Sequence, residues 1–178
     1  MTFKDIYNSE IKKKVIEDLK LKNPMEVPRL IKTVINVGAG EAATTKNILE
    51  KVQEQISIIA GQKAVITKAR KSVSAFKIRK GLPIGVKVTL RGDKMYAFLE
   101  KMIKIVIPRL RDFRGIPDKS VDQNGNLNIG FPEQTLFPEI EFDKIDKIRG
   151  LEVTVVTNAR NHLKGKKLFE LLGVPFKK

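Results

Sequence analysis

The chain has 178 residues, 42% of them hydrophobic, and carries 35 basic against 20 acidic side chains for a net charge of +15. That apolar share supports a packed core and excludes disorder, and no apolar run approaches the ~18 residues of a membrane helix. With no cysteine and a single histidine, His162, disulfides, thiolate catalysis and a histidine metal cluster are excluded, and the basic excess points to a polyanion.

Residues 2–22 read as an amphipathic helix that Thr2 can cap, with Phe3, Ile6, Tyr7, Ile11, Val15 and Leu19 at helical spacing. Asn23-Pro24 stops it and Pro28 marks a short link. Residues 30–37 read as a strand, with Thr33, Ile35 and Val37 on one face and Lys32, Val34 and Asn36 on the other. Gly38-Ala39-Gly40 makes a turn, and Thr44 or Thr45 caps a helix over 46–60, closed by Gly61. Its inward residues are Ile48, Leu49, Val52, Ile56 and Ile59.

Residues 63–68 form a short strand. Residues 69–85 lack clean periodicity and read as a long, mobile basic loop, about 70–85, or a hairpin extension. Residues 86–91 alternate: Val86, Val88 and Leu90 point one way, Lys87, Thr89 and Arg91 the other. Asp93 caps an apolar helix over 94–107, ended by Pro108. Asn124-Gly125 signals a hairpin within 121–130. Residues 151–157 are a strand, and Asn161 caps a last helix over 162–172 with Leu168, Leu171 and Leu172 buried. The pattern implies one α+β domain over residues 1–178. It would be a mostly antiparallel sheet with helices packed on one face, the other face left exposed, and a long basic loop. No secretory signal is visible at the N-terminus.

The charge is not spread evenly. Residues 61–92 hold nine basic and no acidic residues, whereas 1–60 hold ten and eight. A solvated surface mixes signs, and an acid-free stretch of this length repels itself unless something negative covers it. The opposite pole is 133–146, with Glu133, Glu139, Glu141, Asp143 and Asp146. It reads as a solvated loop or as a contact for a basic protein. On the two alternating strands the second face is polar, with Lys32, Asn36, Lys87, Thr89 and Arg91, which suits a nucleic-acid backbone.

Gly38-Ala39-Gly40-Glu41-Ala42-Ala43 fits a dinucleotide fingerprint on paper, and Lys68 and Arg70 sit where a 2′-phosphate would be read. The alternative is therefore an NADP-dependent enzyme using that turn. Against it, the strands after residue 84 do not alternate with helices, and no catalytic cluster appears. The plainer reading is a turn whose N–H groups lie open, to a phosphate or to nothing. Arg70, Lys71, Ser72, Lys77, Arg79 and Lys80 surround Phe76, which either stacks on an unstacked base or anchors the loop to the domain. His162 reads as a surface residue at a helix start. The Phe-Pro-Glu repeats at 131–133 and 137–139 read as two turns, and Lys177-Lys178 as a frayed tail.

INVGAGEAA at 35–43, GQKAVITKARKSVSAFKIRKGLPIGVKVTLRG at 61–92, DFRGI at 112–116 and NIGFPEQTLFPEIEFD at 128–143 resemble a known family. It is the bacterial large-subunit ribosomal proteins that bind 5S rRNA, the fifth of the large-subunit series, and the likeness covers essentially the whole chain. The resemblance implies a non-catalytic structural constituent of the cytoplasmic ribosome, without cofactor or metal. Such a protein helps attach 5S rRNA in the central protuberance and also lies against large-subunit rRNA and neighbouring large-subunit proteins.

It further implies that the exposed sheet face binds 5S rRNA and that the long basic loop reaches P-site tRNA. An intersubunit bridge would form with a small-subunit head protein, the thirteenth of its series. Matched residue by residue, Asn36 and Gly38 fall in the family's first-strand motif. Gln62, Lys63, Thr67 and Lys68 fall on the second strand, and Lys87, Thr89 and Arg91 on the third. Ser72 through Gly85 fall in the tRNA-side loop. Glu133, Glu139, Glu141 and Asp143 suit the bridge by charge.

Overall fold

The computed structural model describes residues 3–21, 23–40, 46–111, 113–140 and 145–177. Five strands form an open antiparallel sheet in the order β2-β3-β1-β5-β4: β1 Leu30–Gly38, β2 Val65–Lys68, β3 Pro83–Leu90, β4 Leu127–Phe131 and β5 Leu151–Thr157. The fold is α+β, as the pattern implied. The chain clusters into two compact units, one of residues 1–33, 91–129 and 154–178 and one of residues 34–90 and 130–153. The predicted Thr2 and Thr44 or Thr45 caps lie outside the described residues.

In the first unit, Phe3, Tyr7, Ile11 and Val15 are all buried. Their spacing of four outruns the 3.6-residue α-helical turn, so a uniform α-helix would swing them off one face. The chain absorbs the excess by widening: α1 (Phe3–Ile6) passes through a π turn at Tyr7–Ile11 into α2 (Lys12–Asp18). α1 then packs on α4 (Gly92–Lys101), and α2 on α5 (His162–Leu171). α4 continues through a second π segment, Met102–Val106, into a 3-10 turn that contains Pro108. Asp93 does not cap α4. The cap position is Arg91, and the Asp93 carboxylate accepts from Lys4 at 2.7 Å.

The Asn124-Gly125 turn is held by Asp122, whose carboxylate accepts the backbone N–H of Asn124 (2.9 Å) and Asn126 (2.8 Å). Gly125 takes φ +80°. The buried Thr157 hydroxyl donates to the Gly125 carbonyl at 2.7 Å. A Cβ on Gly165 of α5 would lie 2.6 Å from that carbonyl oxygen, so the turn and α5 can only meet through two glycines. Asn161 caps α5 as predicted, accepting from Leu163 N–H at 2.8 Å. Within α5, Leu168 and Phe169 are buried and Leu171 only half so. The tail is not frayed at Lys177: its N–H donates to Ile116 at 2.9 Å, and Phe176 pairs with Ile116.

In the second unit, α3 (Lys46–Ala60) buries Leu49, Val52, Ile56 and Ile59 and packs on β3. Each such side chain contributes roughly 1.5–3 kcal/mol. Gly61 closes α3 at φ +62°. β3 begins at Pro83, three residues before the alternation announces it. Gly85 hides the extension, because a Cβ there would sit 2.7 Å from the Val37 carbonyl oxygen of β1. β2 is a four-residue edge strand whose register shifts between Thr67 and Lys68. The two Phe-Pro-Glu repeats are more than turns: Phe131 and Phe137 are fully buried and meet edge to face, 5.8 Å apart. Between them, the buried Gln134 amide donates to the Lys147 carbonyl at 2.9 Å and accepts from Arg149 N–H.

Candidate nucleic-acid interface

The alternation of β3 fixes which side chains its two faces carry. Val86, Val88 and Leu90 are buried, Lys87 is exposed and Thr89 half-buried. In the antiparallel register Lys87 pairs with Val65 and Gly85 with Thr67, so Val65, Thr67, Lys87 and Thr89 share one face. Val65 is 59% exposed there. On β1, Ile35 and Val37 are buried while Asn36 and Gly38 are exposed. The second unit therefore buries one apolar face of β3, and its other face, shared with β2, carries the exposed Lys87 and Val65 and the half-buried Thr67 and Thr89, while β1 leaves Asn36 and Gly38 exposed.

The remaining strand residues vary. Lys63 and Lys68 are exposed, Lys68 lying beyond the register shift, opposite Pro83. Gln62 is half-buried, and its amide donates to the Thr89 carbonyl at 3.2 Å, so part of its bonding capacity is spent inside the protein. Lys32, half-buried, and Arg91, exposed, belong to the first unit.

The 69–85 segment takes the hairpin form. Val73 pairs with Ile78 in antiparallel sense around a 3-10 turn at Ser74–Phe76, and Lys77 closes it in the left-handed region at φ +54°. The base is tied by Ala69 N–H to Leu82 O at 2.8 Å and by Lys80 N–H to the Ser72 hydroxyl at 2.9 Å. Arg70, Lys71, Ser72, Lys77, Arg79 and Lys80 are all exposed. Phe76 is 73% exposed, so it does not anchor the hairpin to the core. Among the described residues, none of Lys63, Lys68, Arg70, Lys71, Lys77, Arg79, Lys80 and Lys87 has a carboxylate partner. Of the acids of this unit, Asp146 instead accepts from Lys51 of α3 at 2.8 Å.

Gly38 and Gly40 differ from Gly85. Neither takes a positive φ, and a Cβ on either would meet nothing within 4 Å. The fold does not demand glycine there; the missing side chain leaves bare backbone that a ligand can approach. Residues 41–43, which complete the dinucleotide pattern, lie outside the described residues. An antiparallel sheet lacks the parallel strands and switch point that a dinucleotide site of that kind uses. Sequence reasoning missed the exposed Val65, although the alternation of 63–68 already placed it beside Thr67.

Of the acidic segment, Glu133 is half-buried and its carboxylate accepts from the Thr135 hydroxyl at 2.9 Å, while Glu139 is exposed. Glu141 and Asp143 lie outside the described residues. His162 opens α5, half-buried, with Nε2 3.4 Å from the Asp118 carbonyl oxygen. No group of three His, Asp or Glu among the described residues could hold a metal ion.

Two family models match the chain: "Ribosomal protein L5" over residues 23–79, and the model for the C-terminus of that same ribosomal family over residues 83–176. The chain belongs to the ribosomal protein L5 family. Among its relatives is a large ribosomal subunit protein uL5 from Prochlorococcus marinus strain MIT 9301. It is 51% identical over 178 residues, covering 100% of this chain and 99% of the relative. A second uL5, from Campylobacter jejuni subsp. doylei, is 52% identical over 178 residues and 98% of its own length. In L5-family terms, the boundary between the two matched models falls inside the basic hairpin, and both models extend into it.

Proposed function

We propose that this L5-family protein is a non-catalytic structural constituent of the large subunit of the cytoplasmic ribosome that holds 5S rRNA against the open face of its sheet. The observation that carries this reading is the pairing of an uncovered polar sheet face with an acid-free stretch over residues 61–92. RNA suits such a surface physically. An A-form duplex hides base edges in a deep groove, so proteins contact phosphates, 2′-hydroxyls and loops. On this reading Lys32, Lys63, Lys68, Lys87 and Arg91 meet phosphates, and Asn36, Gln62, Thr67 and Thr89 bond sugars or loop bases. The backbone at Gly38 is approached directly.

The hairpin of residues 70–85 is proposed to reach P-site tRNA, with Phe76 free to stack and Arg70, Lys71, Lys77, Arg79 and Lys80 on phosphates. Glu133, Glu139, Glu141 and Asp143 are proposed to face a basic small-subunit head protein, where opposite charge favours encounter. A gel-shift titration with 5S rRNA over a salt series tests the core of the reading. Neutralising about 5–8 phosphates makes log affinity fall steeply and linearly with log salt. A flat salt response overturns it. Charge reversal at Glu139 and Glu141 should impair subunit joining and leave 5S rRNA binding intact.

A further inference from the structure

Apart from the sheet face, the first unit holds a cavity of about 290 Å³, at the low end of small-ligand sites. Tyr7 and Tyr96 form its aromatic wall, their rings tilted by 39° with centroids 5.8 Å apart. Met25 borders it, 83% exposed, an apolar side chain left in water. Lys12 and Arg29 supply two exposed cations, and no carboxylate lines the cavity. The acids beside it are engaged: Glu26 with Lys164 and Asp93 with Lys4. Asn158 spends its side-chain oxygen on Arg29 N–H at 2.6 Å, so what it has left to offer is donors.

An aromatic and thioether wall, two cations and an amide donor together fit one chemistry: a flat π-face joined to an anion. We propose that this cavity takes a single unstacked RNA nucleotide, its base against Tyr96 and Met25 and its phosphate on Lys12 and Arg29. Base stacking on an aromatic side chain and charge on the backbone are the two forces by which proteins hold single strands. A phosphate alone would leave the half-buried Tyr96 ring and Met25 uncovered, and an acidic peptide would offer no ring.

The chain has two tyrosines and no tryptophan, and both tyrosines line this cavity. Carbon-13-labelled tyrosine therefore reports on this site alone. In full-length protein titrated with hexauridylate, the Tyr96 ring resonances should shift saturably upfield. Inorganic phosphate and hexaglutamate should not reproduce the shift. The double variant Lys12→Ala/Arg29→Ala alters only exposed side chains and keeps the Arg29 backbone bond. It should weaken hexauridylate binding about tenfold or more, while Lys87→Ala should leave the tyrosine response unchanged. Absent shifts, equal shifts with phosphate or hexaglutamate, an unaffected double variant, or a response abolished by Lys87→Ala would each overturn the assignment. None of these outcomes depends on 5S rRNA, so this site and the sheet face can fail separately.

Discussion

Lys87 on β3 stands directly across the antiparallel ladder from Val65 on β2, and both side chains lie open to solvent on one face. A lysine with no carboxylate partner among the described residues, beside an exposed valine, contributes little to folding. Lys87→Ala should therefore change stability by no more than about 0.5 kcal/mol. Its effect should fall on RNA instead, weakening 5S rRNA binding and lowering the salt slope by about one. Thermal melts and a salt-series titration on the same variant check both halves; a large loss of melting temperature would make the side chain structural.

Two glycines on neighbouring strands should behave oppositely. Gly85→Ala drives a methyl to 2.7 Å from the Val37 carbonyl oxygen, a backbone atom unable to swing away, and to 3.0 Å from the Thr67 hydroxyl. Overpacking of this kind costs about 1–3 kcal/mol. Gly38→Ala meets open space and should leave the melting temperature within about a degree or two of the parent, yet weaken 5S rRNA binding by blocking the backbone. Equal effects of the two substitutions on stability would contradict this.

Thr33 is fully buried on β1, and its hydroxyl has no hydrogen-bond partner among the described residues. An unpaired buried hydroxyl costs about 1–3 kcal/mol. Valine has the same shape without the polar atom and is at least as good a strand former. Thr33→Val should raise stability by about 1 kcal/mol and the melting temperature by about 2–4 °C. Chemical denaturation at neutral pH measures it.

Burial, reinforced by Tyr96, pushes the Tyr7 phenol up to about 12 from its ordinary value of 10.0. The folded state therefore prefers the neutral phenol, whose hydroxyl donates to the Pro28 carbonyl at 3.0 Å. That preference is fully present below pH 10 and fades as pH rises toward 12, because the unfolded chain sheds its proton first. Lysines titrate in the same range, so the comparison must be with Tyr7→Phe. The parent should lose more stability between pH 10 and 12 than the variant, and parallel losses would rule out the phenol as the cause.

What could be seen in the sequence was whatever a local period encodes. The alternation at 86–91 and 30–37 placed buried and open faces correctly because one face of each strand is apolar and the other is not. Asn161 and Asn124-Gly125 were readable because caps and tight turns are built from adjacent residues. Features decided by distant neighbours were hidden. Asp93 looks like a cap until Lys4, 89 positions away, draws its carboxylate off. Pro83 to Gly85 read as loop because a glycine carries no pattern, although β1 passes close against it. The π turn at Tyr7–Ile11 follows from a four-residue spacing that was on view but is easily taken for an ordinary helix. Phe131 ends β4 and Phe137 follows a 3-10 turn at Gln134–Leu136, so no single period relates the two and only the fold brings their rings together.

The sheet ends on one side in β2, which has four residues, a slipped register and a lysine at its last position. Such a border offers another copy few free amide and carbonyl groups, and these are out of step and beside a positive charge. A newly made chain is thus poorly suited to zip onto a second one through this edge.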